Sequence, residues 1–112
     1  MPRPSEDLGL LEQQVLLACL RLHPTGYGVT IADQIKLRTG KDYSPGSIYA
    51  AIERLENKSY VERRKGEASP VRGGRAKEYF TVSGLGRKAL DDAQRAVAAM
   101  WADLNIPGLA RC

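Results

Sequence analysis

The chain has 112 residues, a formal net charge of +4 and a pI of about 9.3, and its hydrophobic content of 43% is ordinary for a globular protein. This length fits one small domain. The longest apolar run, VLLACL, is too short to cross a bilayer, and the first residues lack the apolar core of a signal peptide. We therefore expect a soluble, cytoplasmic protein with no membrane partner.

The first predicted helix spans residues 8–22 and is apolar on two sides. One stripe carries Leu8, Leu11, Val15, Ala18 and Leu22, and the second carries Leu16, Cys19 and Leu20. A small domain cannot easily cover both sides, so we expect Leu11 and Val15 to contact a second subunit. Cys19 is expected to be a small buried hydrophobe and Cys112 a loose chain end, without a disulfide.

Two more helices follow, and each has recognisable ends. Gly40 is a natural C-terminal cap of the second, while Ser44 and Pro45 are typical of the N-cap and first position of the third. The predicted inward residues are Ile31, Ile35 and Leu37 in the second helix, and Ile48, Ile52 and Leu55 in the third. The third helix leaves an outward set of Ser47, Tyr49, Ala50, Glu53 and Arg54.

After Tyr60 the helical period gives way to alternation. VERRKGE and AKEYFTVS are typical of strands, with Val61, Phe80 and Val82 inward, and ASPVRGGR between them predicts a long basic tip. Ser83 then caps a helix over residues 85–104. Nothing follows that could cover its apolar side, which we expect at a dimer interface. That side carries Leu85, Ala89, Ala93, Val97, Met100, Trp101 and Leu104.

The order helix, helix, helix, hairpin, helix predicts a mainly α fold with a small β-hairpin, the winged helix-turn-helix. We expect residues 1–83 to form a DNA-binding domain and residues 84–112 a C-terminal dimerisation helix.

Positive charge is concentrated in the hairpin. Residues 58–77 contain seven basic and two acidic residues, a sum of +5 against +4 for the whole chain. This concentration of positive charge is suited to binding the phosphate backbone of DNA. A hairpin face that is merely exposed to solvent would, however, have the same composition. Arg72, Arg75 and Lys77 are the candidate contacts, with the two arginines suited to a minor groove. The alternative is a tip that contributes net charge alone.

The third helix is the candidate recognition helix, since a single helix fits into the major groove of DNA. Ser44, Ser47 and Tyr49 can donate hydroxyls to phosphates, and the amides around Gly46 carry the positive end of the helix dipole. Ala50 lies on the same face, and Arg54 can reach a phosphate or a guanine. Alternatively, Ser44 only caps the helix and Tyr49 packs against the hairpin.

Catalytic chemistry finds no support in the sequence. The single histidine, His23, stands beside a proline at a helix end, and no nucleophile–base set, metal-ligand cluster or phosphate-binding glycine loop can be assembled. We expect no enzyme activity, no metal and no cofactor.

The segments YSPGSIYAAIERLENKSYVERR and GGRAKEYFTVSGLGRKAL resemble the PadR-type family of bacterial transcriptional regulators. The shared features are the Ser44-Pro45-Gly46 helix start with Tyr49, the Arg54-Leu55-Glu56 segment, and the later residues Tyr79, Phe80, Ser83, Gly86 and Leu90. GYGVTIADQI resembles the family's entry to helix two. The chain departs from the family in having Ala50 where proline is common, and in having a single short C-terminal helix.

The resemblance implies a homodimer that binds a partly palindromic operator and represses the adjacent gene, with the last helix as the main dimer contact and the first as an aid. It also implies control by a small aromatic effector, for which Met100 and Trp101 could line a pocket, although Trp101 could equally be interface core. The competing hypothesis is a protein-interaction module that presents its basic hairpin to an acidic partner; such a module would show an apolar patch on the third helix.

Overall fold

A computed structural model describes residues 7–66 and 77–108 of the chain. Arg72, Arg75 and Cys112, which carry predictions, lie outside these residues. The described elements are α1 (Leu10–Leu22), α2 (Gly28–Thr39), α3 (Pro45–Asn57), β1 (Val61–Lys65), β2 (Glu78–Val82) and α4 (Gly84–Trp101). The predicted order of three helices, a hairpin and a final helix is confirmed. Within the described ranges, no helix combines the length and apolar character that spanning a membrane requires.

The helix ends follow the predicted capping chemistry. Ser44 Oγ accepts the Ser47 amide at 3.2 Å, Ser83 Oγ accepts the Gly86 amide at 3.0 Å, and Gly40 ends α2 with a φ of 77°. The last helix is shorter than predicted. The helical path ends at Ala102, whose ψ of 132° is extended, and Asp103 follows with a φ of 60°. Leu104 therefore lies beyond α4 rather than on the helix.

The core lies where α1, α2, α3 and the hairpin meet. Ile31, Ile35, Ile48, Ile52 and Leu55 are buried as predicted. Cys19 is also buried, and burial raises the pKa of its thiol to about 12, so it stays neutral as a small core hydrophobe. Leu37 was predicted inward but is 78% exposed. Two residues beyond Ile35, it points about 200° away around the helix.

The hairpin is antiparallel and is fixed to the helices by Phe80. Val61 pairs with Val82 and Arg63 with Phe80, which places these side chains on one face. Val61 and Phe80 are buried and Val82 is partly buried against the core, as predicted. The Phe80 amide donates to Gly26 O at 2.8 Å, so the connection after α1 lies along the edge of β2.

The burial of α1 shows that one of its predicted dimer-interface residues was wrong. Val15 was expected to contact a second subunit, but it has no exposed area because α1 is covered on that side by the protein's own core. Leu11 is partly buried against the same core. The exposed leucines of α1 are instead Leu10 and Leu17, neither of which was a predicted interface residue.

Candidate nucleic-acid interface

The N-terminal half of α3 presents an open, polar surface. Ser44, Gly46, Ser47 and Ala50 are exposed, and Tyr49 is 51% exposed. Of the large hydrophobic residues of α3, Tyr49 alone is exposed. The surface therefore lacks the apolar patch that a protein-interaction module would show.

The hydroxyls at the start of α3 are arranged in a chain. Ser44 Oγ accepts the Ser47 amide and donates to Ser47 Oγ at 2.9 Å. This uses the Ser44 proton inside the cap and leaves the Ser47 proton able to reach an outside acceptor. A Cβ at Gly46 would meet no atom within 4 Å. The missing side chain therefore leaves the first turn of α3 open to close approach from outside.

Tyr49 packs against the start of α2. A Cβ built on Gly28, at the first position of α2, would overlap the Tyr49 hydroxyl and ring carbons. Glycine at this position thus makes room for the tyrosine, which lies across the start of α2 with half of its surface exposed. The packing alternative for Tyr49 holds in part, although its partner is different.

Two basic residues of the segment 58–77 form ion pairs within the protein: Lys58, at the C-terminal end of α3, and Arg63, in β1. Arg63 pairs with Glu56 at 2.6 Å and with Glu78 at 2.8 Å, and its hydrogen bond to Glu56 raises its pKa. Lys58 lies 2.8 Å from the buried carboxylate of Glu12. These cations join α3, the hairpin and α1, so the sequence-based sum of +5 overstates the charge that the hairpin offers to a partner.

Arg54 has a structural contact that the sequence did not indicate. Its Nε lies 3.9 Å from Glu12 Oε2, while about half of the side chain remains exposed. The same carboxylate accepts the Gly9 amide at 2.8 Å. Glu12 therefore ties the start of α1 to the C-terminal half of α3, and Arg54 belongs to this tie.

Other basic residues of the hairpin keep their charge. Arg64, Lys65 and Lys77 have no carboxylate within ion-pair distance among the residues that the structure describes. Arg64 and Lys77 lie instead over the rings of Tyr79 and Tyr27. Of these three residues, Lys77 is the one that the sequence predicted as a DNA contact. Tyr27 and Lys77 are 50 residues apart, and no local pattern could have paired them.

A second surface is an apolar groove between α1 and α4 with a volume of about 730 Å³. Leu10, Leu17 and Leu20 line one wall, and Leu90, Val97 and Trp101 the other. The predicted interface residues Val97, Met100, Trp101 and Leu104 are all substantially exposed. Ala93 is half-buried and lies beside a different depression, with Leu8 and Tyr60. We call the first of these surfaces the α1–α4 groove.

Three helices around one core, a hairpin docked on them and a polar helix surface beside basic strands define the winged helix-turn-helix class. The chain belongs to the transcriptional regulator PadR-like family, which it matches over residues 16–92. It is therefore a DNA-binding transcription regulator, and the family is not one of enzymes. The family resemblance and fold class inferred from the sequence are confirmed.

Solved structures of the family share the fold at low sequence identity. A PadR family transcription regulator from hypervirulent Clostridium difficile R20291 has a TM-score of 0.67 at 20% identity, over 83% of this chain and 95% of that one. A PadR-like transcription factor from Bacteroides fragilis has a TM-score of 0.68 at 22% identity, over 82% and 84%. A PadR-like regulator from Bacillus cereus ATCC 14579 has a TM-score of 0.66 at 21% identity, over 82% and 84%. No protein with curated functional information matches this sequence significantly.

Proposed function

We propose that the protein is a homodimeric repressor that binds a partly palindromic operator in the cytoplasm. The observation that carries the proposal is the open N-terminal half of α3 beside hairpin cations that no described carboxylate neutralises. In this arrangement α3 enters the major groove. Its proposed contacts are Ser44, Gly46, Ser47, Tyr49 and Ala50, with the exposed part of Arg54 reaching the backbone.

The hairpin then acts as the wing and follows the adjacent minor groove. Lys77 is its described proposed contact, and Arg72 and Arg75, outside the described residues, are its proposed minor-groove arginines. A narrow minor groove attracts guanidinium groups through its negative potential rather than through base-specific hydrogen bonds. We therefore assign sequence readout to α3 and backbone affinity to the wing.

The proposed dimer uses residues 84–112 as its main contact, with α1 as an aid. Support comes from the α1–α4 groove, because Leu10, Leu17, Val97 and Trp101 all expose apolar surface there. A chain this small buries only roughly 60–65% of the surface of its unfolded state. The α4 helix of a second copy would cover the groove and add the apolar burial that one chain lacks.

Hydroxyl-radical footprinting on the region upstream of the gene tests the proposal. Two protected segments should appear with their centres about 34 Å apart, one turn of DNA, related by two-fold symmetry. Protection of a single segment by one protomer would contradict the operator-binding dimer. Uniform weak protection along the fragment would instead indicate binding without an operator.

The α1–α4 groove also supports the proposal of a small aromatic effector. Trp101, the single tryptophan of the chain, lies in the wall of the groove, so an aromatic effector held between the groove and α4 of the second copy would lie close to this ring. A ligand that favours one spacing of the two α3 helices would shift the dimer toward or away from the binding state. Saturable quenching of tryptophan fluorescence by phenolic or cationic aromatic compounds should report it, and a screen without saturation would contradict it.

The contact between Gly28 and Tyr49 provides a mutational prediction. A methyl group at Gly28 would displace the Tyr49 ring, which can turn outward because it is half exposed. We expect Gly28→Ala to lower operator affinity by about fivefold per half-site, the equivalent of one lost hydrogen bond to a phosphate in each protomer, and so by about 25-fold for the dimer. The free energy of unfolding should change by less than about 1 kcal/mol. Binding isotherms and urea unfolding measure the two quantities.

Gly84→Ala is the matched control for Gly28→Ala. It makes the same chemical change at a glycine whose added Cβ would meet nothing within 4 Å, so operator affinity should stay at the wild-type value. In Tyr49→Phe, which lacks the hydroxyl, Gly28→Ala should cost little further affinity. Full affinity of Gly28→Ala would show that the placement of Tyr49 does not matter for DNA binding.

A further inference from the structure

Four side chains at the root of the wing tip, where the hairpin ladder leads into residues 67–76, form a connected group of rings and cations, which we call the wing-root cluster: Tyr27, Arg64, Lys77 and Tyr79. The Tyr27 and Tyr79 rings meet edge to face, with centroids 6.0 Å apart. The Arg64 guanidinium lies 5.1 Å from the centre of Tyr79, and Lys77 Nζ lies 4.7 Å from the centre of Tyr27. The two rings thus hold two cations on one small surface.

The cluster positions its cations without cancelling their charge. An aromatic ring attracts a cation through its quadrupole but carries no net charge. Arg63 and Lys58, by contrast, lie against carboxylates. Arg64 is fixed further by donating to Pro24 O at 3.2 Å, which uses one of its five N–H groups. Both cluster cations therefore remain available to an outside anion.

The tyrosines also contribute polar groups. Lys77 Nζ lies 3.5 Å from the Tyr27 hydroxyl oxygen and donates to it. The hydroxyl proton of Tyr27 then points to a different acceptor, next to the lysine. A cation and a neutral O–H donor side by side are suited to one phosphate group, which offers several oxygens in a small volume.

The position of the cluster identifies the anion. Tyr27 directly precedes Gly28, on which Tyr49 of α3 packs, while Arg64 and Tyr79 pair near the end of the hairpin ladder that leads to the wing tip, and Lys77 directly precedes β2 at that end. The cluster therefore lies between α3 and the wing. When a helix occupies the major groove and the wing the adjacent minor groove, the phosphodiester strand that separates the two grooves must cross the surface between them.

We propose that the wing-root cluster grips the phosphates of this strand, with Arg64 and Lys77 supplying charge, Tyr27 a hydroxyl donor and Tyr79 the support for Arg64. This inference rests on the proposed DNA-binding mode and adds contacts that are independent of the wing tip. Because phosphates carry no sequence information, the cluster sets the affinity and register of the dimer and leaves base preference to α3.

Lys77→Gln and Arg64→Gln test the cluster, measured as the salt dependence of binding to the upstream fragment. Each substitution removes one charged hydrogen bond from each half-site, so binding of the dimer should weaken about a hundredfold at low salt. The log–log salt slope should fall by about 1.8, which is about 0.9 per protomer. Lys77→Arg should keep the wild-type slope. Base preference and the melting temperature should not change, which separates phosphate binding from a merely structural role.

Lys88→Gln provides the matched control. It removes an exposed positive charge from α4, where Lys88 pairs with Asp92, and it should leave the slope unchanged. Ethylation of the phosphates between the two contacted grooves should interfere with wild-type binding and lose that effect with Lys77→Gln. An unaltered slope for both cluster variants, or an equal loss for Lys88→Gln, would overturn the proposal while the operator-binding function stands. Failure of the wild-type protein to prefer its operator would instead remove the proposed function itself.

Discussion

Replacing Phe80 with alanine is expected to lower the free energy of unfolding by about 3–5 kcal/mol. The ring is almost completely buried, and it joins the hairpin to the core of the three helices. Its removal would leave a cavity that the rigid elements around it cannot close. Since a small domain is stabilised by only about 5–15 kcal/mol in total, much of the stability depends on this one contact.

Urea unfolding at one fixed protein concentration measures this effect, since dimerisation makes the apparent stability concentration-dependent. Leu37→Ala is the control. It also shortens a large apolar side chain, but Leu37 is 78% exposed and its loss should change the free energy by no more than about 0.5 kcal/mol. A loss below about 1 kcal/mol for Phe80→Ala would show that the hairpin does not depend on this ring for its attachment.

Val97→Glu is expected to separate the proposed dimer and to abolish operator binding. Val97 is 51% exposed in the single chain, so a glutamate there remains hydrated and the protomer still folds. In the dimer the carboxylate would be buried in the part of the α1–α4 groove that carries Leu10, Leu17 and Trp101. An uncompensated buried charge costs about 3–5 kcal/mol, which corresponds to a dissociation constant raised by at least about a hundredfold.

Sedimentation equilibrium measures the dimer constant, and circular dichroism checks that the helices remain. Ala99→Glu adds the same charge on the opposite side of α4, at a position that lines neither the α1–α4 groove nor the depression around Ala93, and it should stay dimeric. If Val97→Glu remained dimeric and Ala99→Glu did not, the two copies would meet through the other face of α4.

Local chemistry explains which parts of the fold were predictable. Caps such as Ser44 and Ser83 act on amides three residues away, and the buried positions of α3 follow its helical period. The capping residues and the helical period can both be read from a short stretch of sequence. For this reason the element order, the hairpin face with Phe80 and most of the core residues were predicted correctly.

In helix α1, the spacing of apolar residues along the sequence is not enough to predict which side of the helix is buried. It has apolar residues nearly all round, and only the packing of the other elements decides which side remains outside. Val15, Leu16 and Cys19 are buried in the core, whereas Leu10 and Leu17 are exposed. The two sides could not be ranked from the sequence, so the predicted interface residues of α1 included one that no partner can reach.

The charge distribution was misjudged for a related reason. Composition counts Lys58 and Arg63 with the other hairpin cations, but each is close to a carboxylate: Glu12, 46 residues away, for Lys58, and Glu56 and Glu78 for Arg63. The rings that support Arg64 and Lys77 also come from other parts of the chain. Which cations stay available is thus a property of the tertiary structure.

The most direct test of the proposed function is the binding of purified protein to its own upstream region and to a scrambled fragment of the same composition, at several salt concentrations. The operator-binding dimer predicts a clear preference for the native fragment, a steep loss of affinity with salt and two protomers per site. Equal affinity for the two fragments, or one protomer per site, would contradict it.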